Sequence, residues 1–217
     1  MRESYQKQLE VLHTELIRMG ALCEDAIDSA VKGLLNENHE LRQKAVQLEK
    51  DIDIKEREIE LICVRLLLRE QPVAGDLRQI IAAQRIMREM ERIGDQAANI
   101  ALYGGKYFIN EAAKSGLHTV DMADAAMRML TASVDSYVRE DLNKAKAVIK
   151  MDDEVDALFR QIKQDLIEII SKDSNAGGDC LDILMIAKYL ERIGDHAVNI
   201  AEWVLYSITG ERKEESS

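Results

Sequence analysis

The 217-residue chain carries 40 acidic against 29 basic side chains, a formal net charge of −11. That argues against non-specific nucleic-acid binding and against docking directly on an anionic membrane, both of which need a basic surface. Hydrophobic residues make up 47 % of the chain, enough for a substantial core, and a single proline with 4 % aromatic content suits helices far better than sheets.

Residues 5–35 repeat apolar groups at helical spacing (Leu9, Leu12, Leu16, Met19, Ala26, Ala30, Leu34), which predicts a first helix. Asn36-Glu37-Asn38 breaks it as a turn. A second helix is predicted over 39–70, with Leu48, Ile52, Ile59, Ile62 and Leu66 as its stripe. Gln71-Pro72 ends it, because proline disfavours the helical region for the residue before it. Asp76 is the expected N-cap of a third helix, which carries Ile80, Ala83, Met87, Met90, Gly94 and Ala97 and stops at Gly104-Gly105. Residues 106–118 read as a connector, 119–139 as a fourth helix, 141–171 as a fifth, 172–178 as a loop and 179–209 as a sixth; the charged tail, 210–217, is expected to be disordered. The fold class expected is all-α: two tandem antiparallel three-helix bundles, residues 1–105 and 106–217, because long helices joined by short loops pack as antiparallel neighbours. Cys23, Cys63 and Cys180 are odd in number and far apart, no apolar run approaches the ~20 residues of a membrane span, and residues 1–10 lack a signal core. A cytoplasmic protein with buried, reduced thiols is expected.

An internal repeat organises the chain. Glu91-Arg92-Ile93-Gly94-Asp95-Gln96-Ala97-Ala98-Asn99-Ile100-Ala101 returns 100 residues later as Glu191-Arg192-Ile193-Gly194-Asp195-His196-Ala197-Val198-Asn199-Ile200-Ala201, with nine of eleven positions identical. Each copy sets two acids four residues apart, on one face of a helix. The second and fifth helices bear matching pairs, so four acidic pairs exist: Glu49/Asp53, Glu91/Asp95, Asp152/Asp156 and Glu191/Asp195. Asp53 lies 20 residues before Val73 and Glu91 18 after it; Asp156 lies 18 before Ser174 and Glu191 17 after it. Folded back antiparallel, the pairs of each hairpin meet at the same height beside an apolar stripe. Four converging carboxylates repel one another, and a bound cation offsets that repulsion. All-oxygen ligands favour iron, manganese, magnesium or calcium, with zinc less favoured. The plainer reading is a solvated acidic face with surface ion pairs from Arg88, Arg92, Lys188 and Arg192. Only His196, beside Asp195, could add a nitrogen ligand.

Other signals are weaker. Glu10-Val11-Leu12-His13 reads E-x-x-H, but ferritin-like di-iron sites need two such motifs and the chain has one. No Ser/His/Asp or Cys/His arrangement and no phosphate-cradling glycine spacing is present, so no catalytic residue is identified.

The run Gln71-Pro72-Val73-Ala74-Gly75-Asp76-Leu77-Arg78, together with the two Glu-Arg-Ile-Gly-Asp segments, resembles the PhoU family over essentially the whole chain. The resemblance implies tandem three-helix bundles whose E(D)-x-x-x-D motifs hold iron or zinc clusters, which assigns Glu49, Asp53, Glu91, Asp95, Asp152, Asp156, Glu191 and Asp195 as metal ligands. It implies a negative regulator of phosphate uptake and of the phosphate-starvation response. Such a protein is an adaptor between the ATPase subunit of the high-affinity phosphate ABC transporter and a sensor histidine kinase, not an enzyme, and a homodimer stands among the expectations. The competing readings are a metal-dependent phosphohydrolase and an accessory protein of a low-affinity phosphate permease. His196 in place of Gln96 is the main departure between the two copies.

Overall fold

The computed structural model describes residues 2–70, 72–103 and 118–211. The expected connector, apart from His118, and the last six residues of the expected tail lie outside the described residues. Six long α-helices carry the fold: α1 (Arg2–Leu35), α2 (His39–Glu70), α3 (Gly75–Leu102), α4 (Thr119–Val138), α5 (Leu142–Lys172) and α6 (Gly177–Thr209), with one 3-10 turn at Ser174–Ala176. No strand occurs among the described residues. The architecture is the expected all-α pair of three-helix bundles, α1–α3 and α4–α6; the expected boundary at residue 105 lies outside the described residues.

Turn chemistry sets the hairpins. Asn38 Oδ1 accepts from the Glu40 and Leu41 backbone N–H groups at 3.0 and 3.1 Å, opening α2, and Asp141 does the same for α5 through Asn143 and Lys144. The start of α3 differs from expectation. Asp76 is not its N-cap but sits inside the first turn, where its charge still favours the helix dipole. The cap is Ala74, which turns the chain at φ 45° without a side-chain bond, and the Asp76 N–H is satisfied by the Val73 carbonyl at 3.1 Å. Gly210 closes α6 at φ 76°, a left-handed position that suits glycine.

The two bundles share one continuous core, in which Leu12, Leu16, Met19, Ile52, Ile86 and Met90 are fully buried. All three cysteines are buried free thiols. Between the bundles, α1 lies on α4: His13 packs edge-on against the Tyr137 ring at 5.4 Å, and the Thr131 hydroxyl donates to Glu24 at 2.5 Å. Helix α3 lies antiparallel on α6, with Arg78 near Ser207 at one end, Glu89 on His196 in the middle and Tyr103 on Tyr189 at the other. None of the described helices is long and apolar enough to cross a membrane.

Candidate metal-binding seams and the central helix pair

Each acidic seam is set by a glycine. A Cβ on Gly94 would sit 2.9 Å from Ile52 Cδ1, and one on Gly194 would sit 3.3 Å from both Asp152 Oδ1 and Val155 Cγ1. The bare glycine edges of α3 and α6 therefore let α2 and α5 come close where the acids stand. Ile52 and Val155 are equivalent positions, which confirms the register of the duplication.

The structure brings the acids of each repeat onto one seam. Burial raises the Glu49 carboxyl above its ordinary range, and the Asp53 and Asp95 charges add to this. Burial and then Asp95 raise Glu91, with Asp53 contributing across the seam. In the second repeat burial, then Asp156, Asp195 and Glu191, push Asp152 up to about 6. Burial and Glu191 likewise raise Asp195, against a pull from Lys188. A bound cation would offset the repulsion between the carboxylates in each seam.

The side chains are turned toward other partners as they stand. Arg92 reaches Glu91 at 3.4 Å and Asp95 at 3.3 Å, and Lys188 is paired with Glu191. Arg88 reaches Glu56 at 3.7 Å, across to α2. Among the described residues no group of three or more His, Cys, Asp or Glu has its donors gathered as a metal site. The donor chemistry fits a hard or borderline cation; binding would have to displace Arg92, Lys188 and Arg160 from the acids.

Two histidines are committed elsewhere. His13 is packed on Tyr137, and burial lowers its pKa, so Glu10-x-x-His13 is a packing feature. His196 turns away from the acids: its Nδ1 donates to Glu89 Oε2 at 2.8 Å, and Asn199 Nδ2 donates to the same oxygen at 3.1 Å. Sequence reasoning missed Glu89, because its partners lie on the other repeat. Its counterpart, 100 residues on, is Tyr189, which faces Tyr103 instead. Gln96, the counterpart of His196, is buried with an unpartnered Oε1. The sequence difference between the two copies is therefore a difference in how they grip each other.

Beside this contact lies a cleft of about 580 Å³ with Arg85, Lys146, Asn199, Glu202 and Trp203 in its walls. The Arg85 guanidinium lies 5.4 Å from the ring centre of Trp203.

Comparison with known proteins fits this architecture. The family model for the PhoU domain matches residues 16–103 and 119–204. A phosphate-specific transport system accessory protein PhoU homolog of Clostridium acetobutylicum is 35 % identical, over 97 % of each chain. The homolog of the same name from Pseudomonas aeruginosa is 32 % identical, over 96 % of this chain and 86 % of its own. The crystal structure of PhoU from Pseudomonas aeruginosa superposes with a TM-score of 0.83 at 31 % identity, covering 95 % of this chain and all of that one. The phosphate transport system regulatory protein PhoU from Streptococcus pneumoniae shares the fold at a TM-score of 0.85 and 24 % identity, over 97 % of this chain. With two domain matches, one ending with α3 and the other within α6, the chain belongs to the PhoU family.

Proposed function

We propose that the protein is an accessory regulator of phosphate-specific transport, which restrains high-affinity phosphate uptake and the phosphate-starvation response when phosphate is plentiful. The observation that carries this reading is the full-length likeness, through both repeats, to proteins named as accessory to that transport system. It works in the cytoplasm as an adaptor, not as an enzyme, between the ATPase subunit of the phosphate ABC transporter and a sensor histidine kinase. Long helices locked by a continuous core provide a rigid body for such a role, and regulation then rests on different affinities for the states of each partner. The working assembly is a homodimer.

The two seams are cation sites in this reading. Glu49, Asp53, Glu91 and Asp95 would serve the first, and Asp152, Asp156, Glu191 and Asp195 the second, with iron or zinc as the ions. When bound, such ions would neutralise the clustered charge and offer positions to phosphate oxygens. The support is the raised carboxyls of Glu49, Glu91, Asp152 and Asp195, each disfavoured as an anion by burial and by its acidic neighbours.

The test is deletion in the source organism with a phosphate-starvation reporter. Loss of the protein should switch the reporter on in phosphate-rich medium, and the tagged protein should co-purify with the transporter ATPase subunit. A silent reporter together with no co-purification would overturn the reading.

A further inference from the structure

Four large apolar side chains stand in solvent on the outward side of α2: Ile54 (54 % exposed), Leu61 (58 %), Val64 (39 %) and Leu68 (75 %). Ile54, Leu61 and Leu68 are spaced by seven, so they line one side of the helix over about 21 Å. The core-facing side is taken by Ile52, Ile59, Ile62 and Leu66. Arg57, Arg65 and Arg69 are interleaved with this strip. All three are exposed, and none has a carboxylate partner among the described residues. Arg65 spends one N–H on the Leu61 carbonyl at 3.1 Å, and the nearby Glu58 is held by Lys55 at 2.5 Å. In a chain of net charge −11, an apolar strip edged with unpaired arginines is a local reversal of the surface.

The duplication supplies an internal control. In α5, at the register fixed by Ile52 and Val155, the positions of Leu61, Arg65 and Leu68 carry Gln164, Glu168 and Ser171. The cations that persist there are paired on their own helix, Arg160 with Asp156 and Lys172 with Glu168, each at 3.9 Å. Ile167, 52 % exposed, stands where Val64 does, but the seven-spaced strip of Ile54, Leu61 and Leu68 is replaced by Ala157, Gln164 and Ser171, and the free arginines are absent. Exposed apolar strips of this kind mark interaction surfaces.

We infer that the outward face of α2 docks an acidic amphipathic helix of a partner protein. Residues spaced by seven make a seam one helix wide, which suits a single facing helix. Guanidinium groups along its edges match carboxylates in paired hydrogen bonds. A membrane surface calls for a broader apolar face, and the chain's overall charge opposes anionic lipid. The inference deepens the adaptor reading by naming the partner's chemistry.

The test compares the full chain with L61Q/R65E/L68S, which copies the α5 residues at exposed positions. The probe is a labelled 21-residue helical peptide with leucine at heptad spacing and glutamate on the flanks. Wild type should bind it with a micromolar Kd. The triple variant, with an unchanged circular dichroism spectrum and melting temperature, should bind at least tenfold more weakly. A peptide with lysine in place of glutamate should be weakened similarly on wild type. Equal binding by the variant would overturn the inference. So would strip-dependent sedimentation with phosphatidylglycerol vesicles, which would make this a membrane-facing surface, or strip-dependent self-association, which would make it a face between copies. Peptide binding without co-purification of the transporter ATPase subunit would retire the adaptor reading and leave the docking strip in place.

Discussion

Glu89 of the first repeat and His196 of the second are joined by a 2.8 Å hydrogen bond across the α3–α6 pair, and Asn199 donates to the same carboxylate oxygen. Burial pulls the Glu89 carboxyl upward, but the bonds from His196 and Asn199 outweigh it, so its pKa is lowered in the folded protein. A lowered carboxyl contributes stability above its unfolded pKa, and that stability is lost as pH falls through the folded value. Glu89→Gln should therefore cost about 1–3 kcal/mol at pH 7. The difference from wild type should shrink steadily below the ordinary glutamate range. Urea melts at several pH values check this; a cost independent of pH would count against the charged contact.

Asp152 carries the opposite sign. Its carboxyl is pushed up to about 6 by burial and by Asp156, Asp195 and Glu191. The folded state then holds its proton more tightly than the unfolded one, so its destabilising effect is present above pH 6 and fades as pH falls toward the unfolded value. Asp152→Asn should raise the melting temperature at pH 7.5 in chelator. Removing the i, i+4 repulsion from Asp156 alone is worth about 0.2–0.5 kcal/mol. At pH 4 the two proteins should melt together.

Metal loading should reverse that gain. With iron or zinc added to the wild type at 100 times its Kd, linkage stabilises the fold by about 2.7 kcal/mol. Asp95→Ala and Asp195→Ala should each reduce both the shift and the metal content measured by elemental analysis. Wild type purified without bound metal, and unmoved by added ions in thermal melts, would remove the cation sites.

The seam glycines should respond unequally. Gly94→Ala gains about 0.8–1 kcal/mol of helix propensity, but its Cβ meets Ile52 Cδ1 at 2.9 Å inside a fully buried contact. Overpacking costs about 1–3 kcal/mol, so the net change is a loss of up to about 2 kcal/mol. The same change made together with Ile52→Val, which deletes that methyl, should cost less. A double-mutant cycle with no coupling would contradict the close approach. Gly194→Ala meets Asp152 Oδ1 and Val155 Cγ1 only at 3.3 Å; it should be nearly neutral for stability and show its effect in metal content.

Helix positions, the duplication and the shared height of the four acid pairs were legible from the sequence, because period, loop length and residue number along a hairpin are local quantities. The family followed from the same residues. What a periodic pattern leaves open is which neighbour covers each face of a helix. Only the tertiary structure set α3 on α6 and α1 on α4 and gave His196 to Glu89 rather than to the acids beside it, whereas the i, i+3 pairs of Arg92 with Asp95 and of Lys188 with Glu191 were legible in the spacing. The tertiary structure also opened α3 at Ala74 instead of Asp76, since a positive-φ turn is a backbone choice that residue type signals only weakly. Along α2 the sequence offered apolar residues on more than one side, Ile52 and Ile59 as well as Leu61 and Leu68. Packing buried the first pair and left the second in water, because a helix in a bundle of this kind has only so much of its circumference to bury.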